Sequence, residues 1–215
     1  MRWILVLAAA LVLTPISVTA AEWRLGLQGG INSSGLSGDS PSGVSVGKRT
    51  GPVAGLIGEI RLGEDVWLSV QPMYLQRGTT TKITVSGQTE KLKGPSLTLD
   101  YLAVPILARI VSGNGRTYVM GGVNASFLMD AQLQDGSTTE DLSSDLNSFD
   151  LAADFGFGLM VPLGRPTLTF EIRYEQSILN LAGEDRQEGD DVLPVRFRSA
   201  GFQFMAGFLW PLGGK

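Results

Sequence analysis

The feature that most constrains this chain is a repeated alternation of apolar and polar residues. In LTFEIRYEQ, residues 168–176, every second residue is apolar, and the residues between them include Glu171, Arg173 and Glu175. Side chains point to opposite faces of a β-strand in turn, so this segment predicts a strand with one apolar and one charged face. No stretch beyond residue 20 has the pattern of a long amphipathic helix. The sequence therefore indicates an all-β fold.

Eight segments carry this alternation, and Gly, Pro, Asn and Asp separate them. They are EWRLGLQGGI, AGLIGEIRL, VWLSVQPMYLQ, YLAVPILARI, TYVMGGVNASFLM, DLAADFGFGLMV, LTFEIRYEQ and SAGFQFMAGFLW. An even number of antiparallel strands can close into an up-and-down barrel that leaves no free edge. We therefore expect an eight-stranded antiparallel up-and-down β-barrel.

The connections between these segments alternate between short and long. Three are tight turns, at Gly63-Glu64-Asp65, Ser112-Gly113-Asn114-Gly115 and Gly164-Arg165-Pro166, with the residues that such turns favour. The other four are polar and long, and they are expected near residues 32–51, 76–97, 130–148 and 178–196. Short turns at one end and long loops at the other are typical of transmembrane barrels of the outer membrane.

The first 20 residues have the order of a secretory signal peptide. Arg2 precedes an apolar run from Trp3 to Leu13, and small residues lead up to Ala20. The apolar run is shorter than the roughly 20 residues that a membrane-spanning helix needs, so a retained anchor is the lesser alternative. We expect cleavage after Ala20, which leaves residues 21–215 as one barrel domain.

The composition excludes several classes of function. The formal net charge is −4, and it becomes −5 once Arg2 is removed, so a nucleic-acid partner is not expected. The chain has no Cys and no His, and it therefore lacks thiolate chemistry, the usual general base and the usual zinc ligand. Some eight-stranded outer-membrane barrels are acyl transferases or lipid deacylases that use Ser with His, and this chain lacks that base. We expect no catalytic residues, no cofactor and no metal site.

The charged face must point either to water outside a soluble barrel or into the lumen of a membrane barrel. It is rich in Gly, Ser, Gln and Arg and has very little Lys, which suits a narrow, crowded lumen. The apolar face carries almost no charge, and Trp23 and Trp210 near the short-turn end, with Tyr74, Phe127 and Tyr174 towards the other, predict two interfacial belts. We therefore place the apolar face against lipid, and the protein in a bacterial outer membrane.

Several motifs, taken in order, resemble a known family. GLQGGINSSGL, LSVQPMYLQRG, LDYLAVPILARI, YVMGGVNASFL, FEIRYEQSILN and FQFMAGFLW are similar to the porin-family outer-membrane β-barrel domain of Bacteroidota-like bacteria. The resemblance covers nearly all of the mature chain and implies an eight-stranded barrel of the OmpA and OmpX kind. Ala103 stands where the family often carries Glu, and the tail from Pro211 to Lys215 follows the last aromatic residue.

The predicted lumen contains an interior charge cluster, which is the candidate site. Its members are Arg24, Glu59, Arg61, Arg109, Asp154, Glu171, Arg173 and Glu175. Paired charges that also satisfy hydrogen bonds can fill the lumen permanently, which we favour, because eight strands leave room for little besides side chains. The alternative is a gate, in which Glu171, Arg173, Glu175, Glu59 and Arg61 exchange partners and open a thin ion path.

The function expected from these features is structural, or an interaction made by long exterior loops. A narrow porin for small solutes or ions is the alternative. Less favoured is a soluble lipocalin-like carrier, in which Phe155, Phe157, Phe202 and Phe204 would surround an apolar ligand. The loops Asp130 to Asp150 and Glu184 to Asp191 are acidic but lack the spacing of a calcium loop. The expected partner is the lipid bilayer, and the expected state is a monomer.

Overall fold

A computed structural model describes residues 22–38, 44–84, 91–136, 138–143, 146–179 and 197–212. Within these ranges the chain forms ten β-strands. They are β1 (Trp23–Gly38), β2 (Val44–Arg61), β3 (Val66–Val70), β4 (Met73–Thr84), β5 (Lys91–Val111), β6 (Thr117–Asp135), β7 (Thr138–Asp141), β8 (Phe149–Pro162), β9 (Thr167–Ser177) and β10 (Phe197–Leu212). The predicted signal peptide and the acidic run Glu184 to Asp191 lie outside the described residues.

The strands close into a ring in which every described neighbour pair is antiparallel. β1 pairs with β2 on one side and with β10 on the other, while β5 pairs with β6. Around the ring the order is β1, β2, one wall shared by β3 and β4, and then β5, β6, β8, β9 and β10. The ring therefore has eight walls, which confirms the predicted eight-stranded antiparallel barrel.

One wall consists of two strands laid end to end. β3 and β4 both lie between β2 and β5, and the ladder is interrupted at Gln71 and Pro72. Pro72 has no N–H to donate, and its carbonyl oxygen instead accepts the Leu56 N–H at 2.9 Å. The pairing register with β2 and with β5 is the same on both sides of this point, so VWLSVQPMYLQ forms one wall of the ring, as predicted, with a local break at Gln71 and Pro72.

Much of the chain predicted as long loops is strand. β1 extends to Gly38, β2 begins at Val44, β4 extends to Thr84 and β5 begins at Lys91. The stretches predicted as loops at 32–51, 76–97 and 130–148 are thus largely part of the ladder, although residues 180–196 lie outside the described residues. A transmembrane strand needs about 9–11 residues, whereas β5 has 21, so the walls extend beyond the bilayer.

The two faces of the barrel have the predicted orientation. On β9 and its neighbour β10, Phe170 and Phe204 are 46% and 45% exposed, whereas Arg173 is 0% exposed. The apolar face therefore points outward and the charged face points into the lumen. Phe155, Phe157, Phe202 and Phe204 all point outward as well, which excludes the soluble carrier that needed them around an internal cavity.

Aromatic residues lie at both ends of the outward face. Trp23 pairs with Ile60, next to the short turn at residues 62–65. Trp210 pairs with Leu25, two residues along β1 from Trp23, so both tryptophans lie near the short-turn end. Towards the other end Tyr174 packs on Phe202, with ring centroids 5.1 Å apart. Tyr74 at this end donates its hydroxyl to Asp100 Oδ1 at 2.9 Å, so polar groups begin just beyond the aromatic ring. These positions match two interfacial belts.

Candidate functional site in the barrel lumen

The lumen at the short-turn end holds a layer of two arginines and one glutamate. Glu59 contacts Arg109, and it lies 3.8 Å from Arg24 Nη1. Each arginine also covers an aromatic ring, with the Arg24 guanidinium 3.6 Å from the centroid of Trp67 and that of Arg109 3.7 Å from Tyr118. Stacking on a ring compensates part of the lost hydration of a guanidinium group. This layer carries one more positive than negative side chain.

The middle of the lumen contains a second layer around Arg173. Its guanidinium contacts Glu171, donates to Gln71 Oε1 at 2.5 Å, and lies 3.4 Å from Asp154 Oδ2. The Tyr118 hydroxyl donates to Glu171 Oε2 at 3.1 Å, which joins this layer to the first layer of Arg24, Glu59 and Arg109 at the short-turn end. The side chains of Arg173 and Asp154 have no solvent exposure, so Arg173 is compensated by Glu171, Asp154 and Gln71 rather than by water.

A third layer is built around Arg77, further towards the long-connection end. Arg77 Nη1 lies 2.6 Å from Asp150 Oδ2, and Arg77 Nη2 lies 2.8 Å from Glu175 Oε1. Glu175 also accepts a hydrogen bond from Asn124 Nδ2 at 2.6 Å, and Asp150 accepts one from the Ser177 hydroxyl at 2.5 Å. One arginine thereby ties together strands β4, β8 and β9, while Asn124 adds β6.

An apolar cluster fills the lumen beside and beyond Arg77, along the wall made by β4, β5 and β6. It contains Leu75, Leu97, Leu99 and Tyr101, all at most 1% exposed. The segment after β7 folds back onto it and contributes Leu142 and Leu146, with the Leu142 N–H donating to the Ala131 carbonyl at 2.9 Å. Apolar side chains from this connection thus add to the cluster that fills the lumen.

The structure brings seven of the eight predicted cluster residues into the three layers of the lumen. Arg24, Glu59 and Arg109 form the first layer, and Asp154, Glu171, Arg173 and Glu175 belong to the second and third layers. The eighth, Arg61, lies at the exposed rim instead, where it pairs with Glu22 at 3.1 Å and donates to the Glu64 carbonyl at 2.6 Å. Arg61 therefore has no contact with the residues of the proposed gate.

Sequence reasoning missed two residues at the centre of the network, Arg77 and Asp150. Both are buried. Arg77 fell within a stretch predicted as a loop, whereas Asp150 began the predicted strand DLAADFGFGLMV but was also counted with the acidic loop Asp130 to Asp150. For Arg77 a signal existed, because Met73, Leu75 and Arg77 continue the inward alternation of β4 past Tyr74. Ala103, which stands where the family often has Glu, is also fully buried on the inner face and is surrounded by the apolar cluster.

The balance of charge differs between the layers. The arginine layer at the short-turn end has two arginines for Glu59, whereas Arg77 and Arg173 together face four carboxylates, those of Asp150, Asp154, Glu171 and Glu175. In the residues that the structure describes, no group of three carboxylates is arranged to hold a metal ion. The chemistry that this arrangement supports is charge pairing within the lumen.

The comparison with protein families assigns the chain. A family described as outer membrane protein beta-barrel domain matches residues 15–183. The chain belongs to this family. Its home is the bacterial outer membrane, and its apolar band faces the lipid bilayer. In the described part of the chain, no helix is long and apolar enough to cross a membrane.

Solved structures of outer-membrane proteins have a similar fold. The attachment invasion locus protein of Yersinia pestis, in complex with the heparin analogue sucrose octasulfate, is 15% identical, with a TM-score of 0.49 over 88% of this chain and 99% of that one. The outer membrane protein OprG from Pseudomonas aeruginosa is 11% identical, with a TM-score of 0.48 over 89% and 96%. Neisserial surface protein A is 12% identical, with a TM-score of 0.46 over 87% and 97%. No curated protein sequence matches this chain.

Proposed function

We propose that this protein is a closed, non-enzymatic barrel of the outer membrane whose role is structural or is carried by contacts of its extracellular surface. The observation that carries the proposal is the filling of the lumen. The side chains of Arg77 and Arg173 are both 0% exposed, which a water-filled path beside them would not allow. Eight-stranded barrels have interiors that side chains can fill, and this lumen is filled by paired ions and then by an apolar cluster.

The extracellular part of the walls supports a role at the surface. β2, β5 and β6 have 18, 21 and 19 residues, roughly twice what the bilayer requires. β7 lies on this extension, and its four residues are all exposed. Connections held on a rigid scaffold are the usual place for recognition, so this end is where a partner would bind. Contact with lipid is the other expected interaction, and we infer a monomer.

The absence of enzymatic activity rests on the chemistry of the side chains. The chain has no His to activate a serine and no Cys to act as a nucleophile. The buried carboxylates of the lumen are paired with arginine rather than aimed at an open cleft. An assay of reconstituted protein for lipid acyl transfer or deacylation should therefore show no turnover above protein-free vesicles.

Recording of the purified, refolded protein in planar bilayers tests the closed lumen. The wild type should stay at the baseline of the bare bilayer. The Arg173→Ala variant should also stay there, because the Arg77 layer and the apolar cluster with Leu142 and Leu146 still occlude the lumen. Discrete conductance steps in the wild type would contradict the proposal.

A narrow, gated ion path is the second candidate. The observation that favours it is the loose contact of Arg173 with Asp154, at 3.4 Å, beside its closer contacts with Glu171 and Gln71. Arg173 could leave Asp154 while keeping its other partners. A gate predicts steps in the wild type whose frequency changes in Arg173→Ala, whereas flat traces from both proteins reject it.

A further inference from the structure

The lipid-facing surface has an apolar groove of about 380 Å³ halfway along the barrel wall. Gly29 of β1 and Ala206 of β10, which are directly paired, form its floor. Phe204, Phe170 and Phe157 also line it, and their exposed fractions are 45%, 46% and 55%. The groove is therefore a depression in a surface that is otherwise made of large side chains.

The small size of Gly29 is not required by the packing of the barrel. A Cβ added to Gly29 would meet no atom closer than the Val53 carbonyl oxygen at 3.6 Å. By contrast, a Cβ at Gly26 or Gly30 on the same strand would collide with a backbone carbonyl oxygen of β10. Gly29 thus leaves space on the outer surface that a larger residue could occupy without a clash.

The lining of the groove selects an apolar occupant. Its polar member is Glu171, whose carboxylate is directed inward, where it accepts from Tyr118 and contacts Arg173. The other side chains of the lining are hydrocarbon, apart from the thioether of Met205. A volume of this size lies at the lower end of the range for small-molecule sites, roughly 300–1,000 Å³. A ligand here would be held by shape and dispersion alone.

The position of the groove identifies the occupant. Ala206 lies four residues from Trp210 and four from Phe202 along β10, so the groove is midway between the two aromatic belts. This level of the wall faces the hydrocarbon core of the bilayer. We propose that the groove seats one acyl chain of a membrane lipid, which the protein holds more tightly than the lipids around it. The groove lies outside the lumen, so its occupancy does not depend on whether the lumen conducts.

A second copy of the chain fits the groove less well than a lipid chain. Two barrels present convex walls to each other, and they would touch at Phe170 and Phe204 before either reached the floor at Ala206. A stable protein interface also buries upwards of about 1,000 Å², far more than one groove offers. A single flexible hydrocarbon chain can reach the floor between the phenylalanines.

Native mass spectrometry of the protein released from dioleoylphosphatidylcholine nanodiscs tests this inference. The wild type should retain one lipid at a collision energy that strips the others. Ala206→Phe, which fills the groove, should lose this adduct, and Gly29→Leu should do the same from the neighbouring strand. Ala108→Phe is the matched control, because Ala108 is exposed on the same lipid-facing surface of β5, beside Leu68 and Gly121. The control should retain the adduct.

Two results would overturn the proposal. One is equal retention, or equal loss, of the lipid in Ala206→Phe and Ala108→Phe. The other is a disulfide-linked dimer of Ala206→Cys in the bilayer, which would show a second copy at the groove. Such a dimer can form only through the introduced cysteine, because the natural chain has none. Heat-dependent gel mobility of each variant confirms that it has folded before either result is interpreted.

Discussion

At the scale of single residues, Arg77 shows how the lumen holds a charge away from water. Its guanidinium is compensated by Asp150 and Glu175 and donates to the Ser126 hydroxyl at 3.1 Å. The Arg77 guanidinium carbon also lies 4.7 Å from the centroid of the Tyr101 ring. Removing one partner from such a group leaves a buried charge without compensation, which costs more than the pair itself contributes. The partners of Arg77 should therefore be more sensitive to substitution than exposed carboxylates.

Asp150 and Asp154 should respond differently to the same substitution. Asp150 has short contacts to Arg77 and Ser177, whereas Asp154 has a single ion pair of 3.4 Å and an Oδ1 atom without a hydrogen-bond partner. Asp150→Asn should lower the free energy of unfolding by about 2–3 kcal/mol, and Asp154→Asn by less than about 1 kcal/mol. Urea titration followed by gel mobility measures both. Asp141→Asn at the exposed strand β7 is the control, and equal losses for Asp150 and Asp154 would contradict the assigned contacts.

Adjacent glycines on β1 should differ as well. Ala at position 30 would press its Cβ against the Phe204 carbonyl oxygen, whereas Ala at position 29 would make only an ordinary contact with the Val53 carbonyl oxygen at 3.6 Å. We expect Gly30→Ala to cost at least about 2 kcal/mol through strain and Gly29→Ala to stay within about 0.5 kcal/mol. The yield of the heat-modifiable, folded band and its urea midpoint measure the difference. A tolerated Gly30→Ala would mean that β1 and β10 are further apart than described.

At the scale of strands, the sequence predicted the membrane-crossing part of each wall and failed beyond it. Alternation is visible where one face meets lipid and the other meets the lumen, as in β9. Beyond the bilayer both faces of a strand can be polar, so the Thr-, Gly- and Ser-rich ends of β2, β4 and β5 lose the pattern although the ladder continues. Arg77 lies at the start of this region of β4, although Met73, Leu75 and Arg77 still keep the inward alternation.

The inner face could be predicted only in part for a related reason. Charges on an apolar strand are conspicuous, so Glu59, Arg109 and Arg173 could be identified from the alternation. Leu75, Leu97 and Leu99 also point inward, and nothing in their residue type distinguishes them from lipid-facing leucines. Which arginine pairs with which acid depends on contacts across the lumen between residues as far apart as Arg77 and Asp150. Strand alternation carries no information about such distances.

A charge placed on the outward face of β9 tests the orientation of that strand. Phe170 faces the hydrocarbon core, so Phe170→Arg should cost about 2–4 kcal/mol of stability in a bilayer. Leu212 is similarly exposed but lies at the short-turn end of β10, and Leu212→Arg should cost roughly 0–1 kcal/mol. Unfolding in lipid vesicles with urea measures both. A neutral Phe170→Arg would mean that this face does not meet lipid.

At the scale of the whole molecule, ring closure and lumen filling depend on each other. The layers around Arg173 and Arg77 join β4, β6, β8, β9 and Gln71, which lies between β3 and β4, across the barrel, so they stabilise walls that are not hydrogen-bonded neighbours. The closed ladder in turn excludes water from these ions and strengthens their attraction. A barrel built in this way is held at membrane depth by contacts across the lumen as well as by the ladder around the ring.

Spin labelling along β10 tests the central claim most directly, that one face meets lipid while the other is sealed inside. The chain has no cysteine, so single cysteines at residues 202, 203, 204, 205, 206 and 208 can each carry a nitroxide in bilayers. Labels at 202, 204, 206 and 208 should be accessible to oxygen dissolved in lipid, and labels at 203 and 205 should be shielded from oxygen and from a water-soluble relaxing agent. Access of the water-soluble agent to 203 and 205 would contradict a closed lumen, and its access to 204 and 206 would contradict the lipid-facing surface.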